Sequence, residues 1–217
     1  MMSTIWVFRE QRTGGTAFVD LLCKQLGKHN YFAHLEEIGS HISDQNELII
    51  NTHSFEFLDY LGDYENPTLI RCARRNKTEQ FLSILMLHWM DATVYRHTDV
   101  KNRGYNIQPD APSDFINLFN SVPPTIITKR EVLAVARLSK LCDDKWNAIA
   151  PRYNGVTVYY EDLCEGIDIP LLGLTNVKLT SELDVKPLPT DYKKNVFLNY
   201  DMLVKWADEI SEELFNT

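Results

Sequence analysis

Short apolar runs alternate with stretches in which apolar residues recur every three or four positions, and this alternation predicts an α/β fold. Thr4 to Phe8 (T-I-W-V-F) has the length of a buried strand. Arg9 to Gly15 is polar and closes on a glycine pair, and from Thr16 the residues Phe18, Leu21, Leu22 and Leu26 keep helical spacing up to Gly27. Asn30 to His34 predicts a short extended segment. Glu47 to Asn51 (E-L-I-I-N) is a second apolar strand, followed at once by T-H-S. Phe55 to Leu61 carries helical spacing that stops at Gly62, and Pro67 to Ala73 is a third strand.

Asn76 with Glu79 then resembles a capping box for a helix through Phe81, Leu82, Leu85 and Trp89. His97 to Pro112 is polar and aperiodic, which marks a mobile loop or lid, and Ser113 can cap a short helix. Thr128 with Glu131 is a second capping box, opening a long helix that carries Val132, Val135, Leu138, Leu141 and Trp146 on its apolar positions. Gly155 to Tyr160 (G-V-T-V-Y-Y) has strand composition. A last helix, Asp201 to Phe215, places Leu203, Val204, Ala207, Ile210 and Leu214 on one face and Asp208, Glu209, Glu212 and Glu213 toward solvent.

Strands alternating with helices imply a three-layer α/β/α arrangement with a mainly parallel central sheet. No linker, repeat or low-complexity segment divides the 217 residues, so a single domain spanning 1–217 is expected. In such sheets ligands bind outside the carboxyl ends of the strands. Arg12, His53 and Arg75 follow the first, second and third strands in the order given above, so three polar groups can share one crevice.

Composition narrows the class. A net charge of -8 gives no electrostatic footprint for nucleic acid or an anionic membrane. No run approaches the roughly 18 apolar residues of a spanning helix, and the start lacks the basic-then-apolar pattern of a signal peptide, so a soluble cytoplasmic protein is expected. Cys23, Cys72, Cys142 and Cys164 are scattered, without C-x-x-C spacing, as reduced packed thiols would be.

The strand, glycine turn and helix at Thr4 to Leu26 form the local plan of a phosphate-binding loop, where backbone N–H groups and a fresh helix N-terminus attract an anion. The loop is R-T-G-G-T, with neither the lysine of G-x-x-x-x-G-K-[ST] nor a G-x-G-x-x-G. It resembles the 5′-phosphosulfate loop of sulfotransferases, K-S-G-T-T-W in cytosolic enzymes and with arginine first in other branches. R-R-N-K-T-E-Q-F-L-S resembles that family's R-[ND]-P-x-x-x-x-x-S, with Arg75 and Ser83 eight apart, and more closely its R-R-D-x-x-x-Q-x-x-S form. N-T-H at Asn51 to His53 is similar to K-T-H, and Y-E-D-L at Tyr160 to Leu163 is similar to a motif at the end of a late strand.

The resemblance covers Val7 to Leu163 and implies a P-loop-like sulfotransferase fold. It also implies 3′-phosphoadenosine-5′-phosphosulfate as donor and adenosine 3′,5′-bisphosphate as product, with no metal required. It places Arg12 on the sulfuryl group and leaving phosphate, and Thr13, Gly14, Gly15, Thr16 and Ala17 around the 5′-phosphate. Arg75 and Ser83 fall on the 3′-phosphate, Tyr160 near the nucleotide, and His53 as the base toward a hydroxyl or amine of a small acceptor. A glutamate after the first helix serves other branches, which makes Glu36 and Glu37 the rival base. Asn51 replaces a family lysine and Ala17 a family tryptophan that stacks adenine, a place that Phe18 or a residue near Tyr160 could fill. No R-K-G occurs near the C-terminus, where Lys193 and Lys194 are the basic pair. His88, Trp89, Tyr95, Arg96 and His97 are candidates for the acceptor pocket. The alternatives are a P-loop kinase using ATP and magnesium, and a non-catalytic nucleotide-binding module.

Overall fold

The computed structural model describes residues 4–11, 13–37, 48–64, 66–97, 124–179 and 190–216. The elements run β1 (Ile5–Arg9), α1 (Gly15–Leu26), β2 (His29–Phe32), β3 (Leu48–Thr52), a 3₁₀ helix over Phe55–Asp63, β4 (Thr68–Ala73), α2 (Lys77–His97) and α3 (Lys129–Ile149). After them come β5 (Val156–Tyr159), α4 (Tyr160–Glu165), the strands β6 (Ile167–Ile169) and β7 (Leu174–Val177), α5 (Thr190–Val196) and α6 (Tyr200–Phe215). Strands β1 to β5 form one parallel sheet in the order β2-β3-β1-β4-β5, and β6 pairs antiparallel with β7.

The chain divides into two compact units, each made from two segments: Met1–Asn76 with Leu138–Lys186, and Lys77–Arg137 with Pro187–Thr217. Because both are discontinuous, no single linker separates them, and composition along the chain carries no boundary signal.

In the first unit the pleat of β1 sorts its side chains to two cores. Trp6 and Phe8 join Phe55, Phe57, Leu61 and Trp146 on one face of the sheet, while Ile5 and Val7 join Phe18, Val19, Leu22 and Leu163 on the other. Both faces are therefore covered: α1 and the β6–β7 pair on one, the 3₁₀ helix and the later part of α3 on the other. This is the expected three-layer α/β/α arrangement, and it accounts for strands that read as continuous apolar runs. Helix α1 stops at Gly27, whose left-handed φ of 61° lets its N–H return to the Cys23 carbonyl.

In the second unit, Phe81, Leu82, Leu85 and Met86 of α2 pack with Val132, Leu203 and Ala207. The capping box at Thr128 forms as expected: the Thr128 hydroxyl accepts from the Glu131 amide at 3.3 Å and the Glu131 carboxylate accepts from the Thr128 amide at 2.7 Å. Among the described residues no helix is long and apolar enough to cross a membrane.

The expected apolar face of α3 needs correction. Val132, Val135 and Trp146 are buried, but Leu138 and Leu141 are 61% and 64% exposed, and Ser139 is buried instead. Steps of three residues turn back by about 60° each on a helix of 3.6 residues per turn, so the run 132-135-138-141 walks off the buried face. Ser139 and Asp143 take the inward positions because they meet a buried charge. Arg71 of β4 bonds Glu10, just beyond β1, at 2.9 Å through Nε, and pairs with Asp143; Ser139 donates to the other Glu10 oxygen at 2.8 Å. Arg71→Met should leave those carboxylates without their cation and destabilise the protein by about 3–5 kcal/mol. Urea unfolding with an unchanged m-value is the measurement that checks this.

Candidate functional site

The carboxyl end of β1 lies between those of β3 and β4. From β1 the chain crosses leftward in the strand order to β2, whereas from β3 and from β4 it moves the other way. That reversal makes the end of β1 the switch point at which open α/β sheets bind ligands. The residues gathered there come from β1, the glycine turn, β2 and the T-H-S segment after β3.

Strand β1 ends one residue later than its apolar run, so Arg9 lies in the sheet and Glu10 leaves it. The Thr13 hydroxyl donates to the Glu10 carbonyl at 2.8 Å and ties the turn closed. Gly14 precedes α1 in the left-handed region, at φ 71°, and no side chain caps this helix start, whose first turn holds no acidic residue. Both glycines are required by close approach as well. A Cβ on Gly14 would lie 2.5 Å from Cδ2 of Tyr160, and one on Gly15 would lie 2.6 Å from Cδ of Arg9.

Arg9 is 6% exposed and was not anticipated as a site residue. Its Nη1 donates to the Thr16 hydroxyl at 2.6 Å, its guanidinium stands 5.3 Å over the Phe32 ring, and its Nε is buried without a hydrogen-bond partner. No carboxylate forms an ion pair with it among the described residues. Burial holds the Arg9 pKa below its ordinary value. The available signal was an arginine closing an apolar run directly before a glycine turn.

His53 also meets the Phe32 ring, with ring centres 5.7 Å apart. Its Nδ1 lies 2.7 Å from the Arg9 carbonyl oxygen. A carbonyl only accepts, so Nδ1 carries the proton and Nε2 is left with a lone pair. The residue is exposed. Even so, crowding of the imidazole lowers its pKa to about 4, with the Arg9 cation adding to the effect and the bond to the Arg9 carbonyl opposing it.

Comparison with protein families, curated proteins and solved structures gives no match.

The rival base is differently placed. Glu37 accepts from the Tyr31 hydroxyl and from the His34 amide at 2.6 Å, and the Tyr31 bond, the larger influence, holds its carboxyl below the usual range. Both oxygens of this carboxylate are already engaged as acceptors. Glu36 is exposed on the same 3₁₀ turn, Leu35–Glu37. Asn51, at the position of a family lysine, is buried, and its amide donates to Asn30 and to the Tyr31 carbonyl at 3.0 Å, tying β3 to β2.

Arg12 lies outside the described residues, as does the 98–112 part of the expected lid and Ser113. Thr13, Gly14, Gly15, Thr16 and Ala17 form the turn and the first turn of α1, with Ala17 buried. Phe18 cannot stand in for a stacking tryptophan, because it is fully buried between α1 and the sheet. Tyr160 instead comes against the turn, and it opens α4 rather than ending a strand.

Arg75 donates to both carboxylate oxygens of Asp162, at 2.5 and 2.7 Å, over the Tyr159 ring, while Glu161 accepts from the Arg75 and Asn76 amides at 3.1 and 3.2 Å. The Y-E-D-L carboxylates thus hold the R-R-N segment. Ser83 is 7% exposed within α2 of the second unit. There Lys193 is buried against Glu79, and Lys194 stands 5.8 Å over the Tyr200 ring. His88 is exposed, and the side chains of Trp89, Tyr95, Arg96 and His97 lie outside the described residues.

Two outcomes follow from this geometry. Gly14→Ala should cost about 1–2 kcal/mol from backbone strain alone. The Tyr160 contact should add to that, so thermal melts of Gly14→Ala, Tyr160→Ala and the double variant should be non-additive, the pair losing less than the sum. For His53 the folded-state pKa lies below the ordinary 6.5, so the unfolded chain binds more protons between 6.5 and about 4. The stability contributed by this group therefore falls as pH drops through that window and levels off below it. His53→Asn should flatten that part of the stability–pH curve, and an NMR titration should find the His53 midpoint near 4.

Proposed function

We propose that the protein is a sulfotransferase on a P-loop-like α/β/α framework. It moves a sulfuryl group from 3′-phosphoadenosine-5′-phosphosulfate to a hydroxyl, or an amine, of a small acceptor. The observation that carries this reading is His53: an imidazole at the end of β3, its Nδ1–H committed to the Arg9 carbonyl and its Nε2 open, on the strand next to an uncapped glycine turn and helix start. A base of fixed tautomer beside an anion-attracting helix terminus is the pairing that group transfer from an anionic donor needs. The R-T-G-G-T, R-R-N and Y-E-D-L resemblances supply the identity of the donor.

In this reading the amides at the start of α1 and Arg12 hold the 5′-phosphate and stabilise the charge that gathers on the bridging oxygen. Nε2 of His53 takes the acceptor proton as the acceptor oxygen bonds to sulfur in line with the breaking sulfur–oxygen bond. The electron pair of that bond leaves with the 5′-phosphate of the bisphosphate product. Tyr160, packed on Gly14, supplies an aromatic surface where Ala17 supplies none, and Arg75 is the residue that the resemblance assigns to the 3′-phosphate within the first unit. The four cysteines are unpaired, which suits a reducing cytoplasm.

A non-catalytic nucleotide-binding module is the second reading, favoured by one observation: Asp162 already occupies the Arg75 fork.

Incubation with the phosphosulfate donor and a panel of phenols, alcohols and amines should yield sulfated product and adenosine 3′,5′-bisphosphate. His53→Ala should lower kcat by about 10²–10⁴ while the bisphosphate still binds. Donor binding without transfer across the panel would select the non-catalytic module. A larger thermal shift with ATP and magnesium than with the bisphosphate would select a kinase.

A further inference from the structure

We propose that Arg9 is a binding residue for a tetrahedral oxyanion of the phosphate or sulfate class at the start of α1, and that the same residue orients His53 through its carbonyl. The inference deepens the reading above, since it names a cation of the donor site in a position that the motif resemblance leaves blank.

Four observations converge on Arg9. The first is its burial without a counter-ion. At 6% exposure it makes no ion pair among the described residues, whereas Arg71, equally buried one strand away, meets Glu10 and Asp143. A buried charge left in this state is costly, and a guanidinium is built to meet two oxygens of one anion. Second, Nε has no partner although it is sealed from solvent. It is half of the fork that would grip such an anion.

Third, Nη1 reaches Thr16 Oγ1, which fixes the guanidinium at the first turn of α1. That turn holds no acidic residue and no side-chain cap, so its amides and Arg9 favour the same sign of ligand. Asp20, one turn further along α1, acts on Arg9 only through space. Thr16 is exposed and holds Nη1, so the Nε–Nη2 edge of the guanidinium is left for the two oxygens of an anion. Fourth, Gly15 is shaped to this side chain: a Cβ there would meet Cδ and Cγ of Arg9 at 2.6 and 2.8 Å. The second glycine of R-T-G-G-T lets the arginine pass beneath the helix start, a role separate from backbone freedom.

The carbonyl of Arg9 holds Nδ1 of His53 while its guanidinium holds the anion, so one residue sets the base and the anion in register. Arg9 is a positioning residue toward His53 and a binding residue toward the anion.

The probe is inorganic phosphate, with sulfate in parallel and sodium chloride at matched ionic strength as control. In wild-type protein, titration should shift the Arg9 Nε–H resonance and slow its exchange with water, and chloride should do neither. Arg9→Lys, which keeps the charge and loses the fork, should weaken phosphate binding by about tenfold or more. The Nε–H measurement needs no variant, so it decides the matter even if Arg9→Lys fails to fold. An Nε–H resonance unmoved by saturating phosphate, or an Arg9→Lys protein that binds phosphate as tightly as wild type, overturns the proposal.

The two readings fail separately. Arg9-dependent phosphate binding with no sulfuryl transfer upholds this inference and removes the sulfotransferase reading. Transfer with kcat and KM unchanged in Arg9→Lys upholds the enzyme and removes the role of Arg9.

Discussion

A buried guanidinium is costly unless something negative meets it, and that constraint organises the carboxyl ends of β1 and β4. Arg71 is held by Glu10 and Asp143, with Ser139 completing the hydrogen bonds to Glu10. Those contacts join β1, β4 and α3 at one point. Glu10 must leave β1 at a fixed place to reach Arg71, and its carbonyl then receives the Thr13 hydroxyl that closes the glycine turn. Where the turn closes determines where α1 begins, and so where its free amides stand.

Arg9, the residue before Glu10, is the counterpart that nothing negative meets. Adjacent positions of one chain thus supply a satisfied charge and an unsatisfied one. The first locks the edge of the sheet and the second leaves it receptive. Phe32 packs against both Arg9 and His53, and the Arg9 carbonyl fixes the imidazole, so the receptive cation and the open Nε2 are parts of one arrangement. The depressed pKa of His53 has the same origin, since crowding and a neighbouring cation both disfavour a second proton.

Much of this was legible in the chain. The five strands of the main sheet each follow a run of apolar or extended residues, and Gly27 and the Thr128–Glu131 box mark helix ends by their local chemistry alone. The legibility stops where a long-range partner decides. Nothing in the local pattern marks Ser139 and Asp143 as inward-facing, because the charge they serve comes from β1 and β4, far away in sequence. Arg9 read as a loop residue because its burial depends on α1 folding over it. The 3₁₀ helix Phe55–Asp63 runs through Gly62, since the aromatic pocket around Trp6 holds Phe57 and Leu61 whatever the local propensity. The β6–β7 pair was missed because its three- and four-residue strands are too short for a period of two to register.

The two-segment construction of the first unit bears on its synthesis. A ribosome adds roughly 5–20 residues per second. β1 to β4 therefore emerge well before Leu138–Lys186, which carries Ser139, Asp143 and β5. A sheet built from β1 to β4 alone would have its β4 edge open and Arg71 met only by Glu10. Unpaired edges of this kind recruit other chains. The order of segments along the chain thus places the stretch between Asn76 and Leu138 before the residues that would cover that edge, and the rate of translation through it sets how long they are awaited.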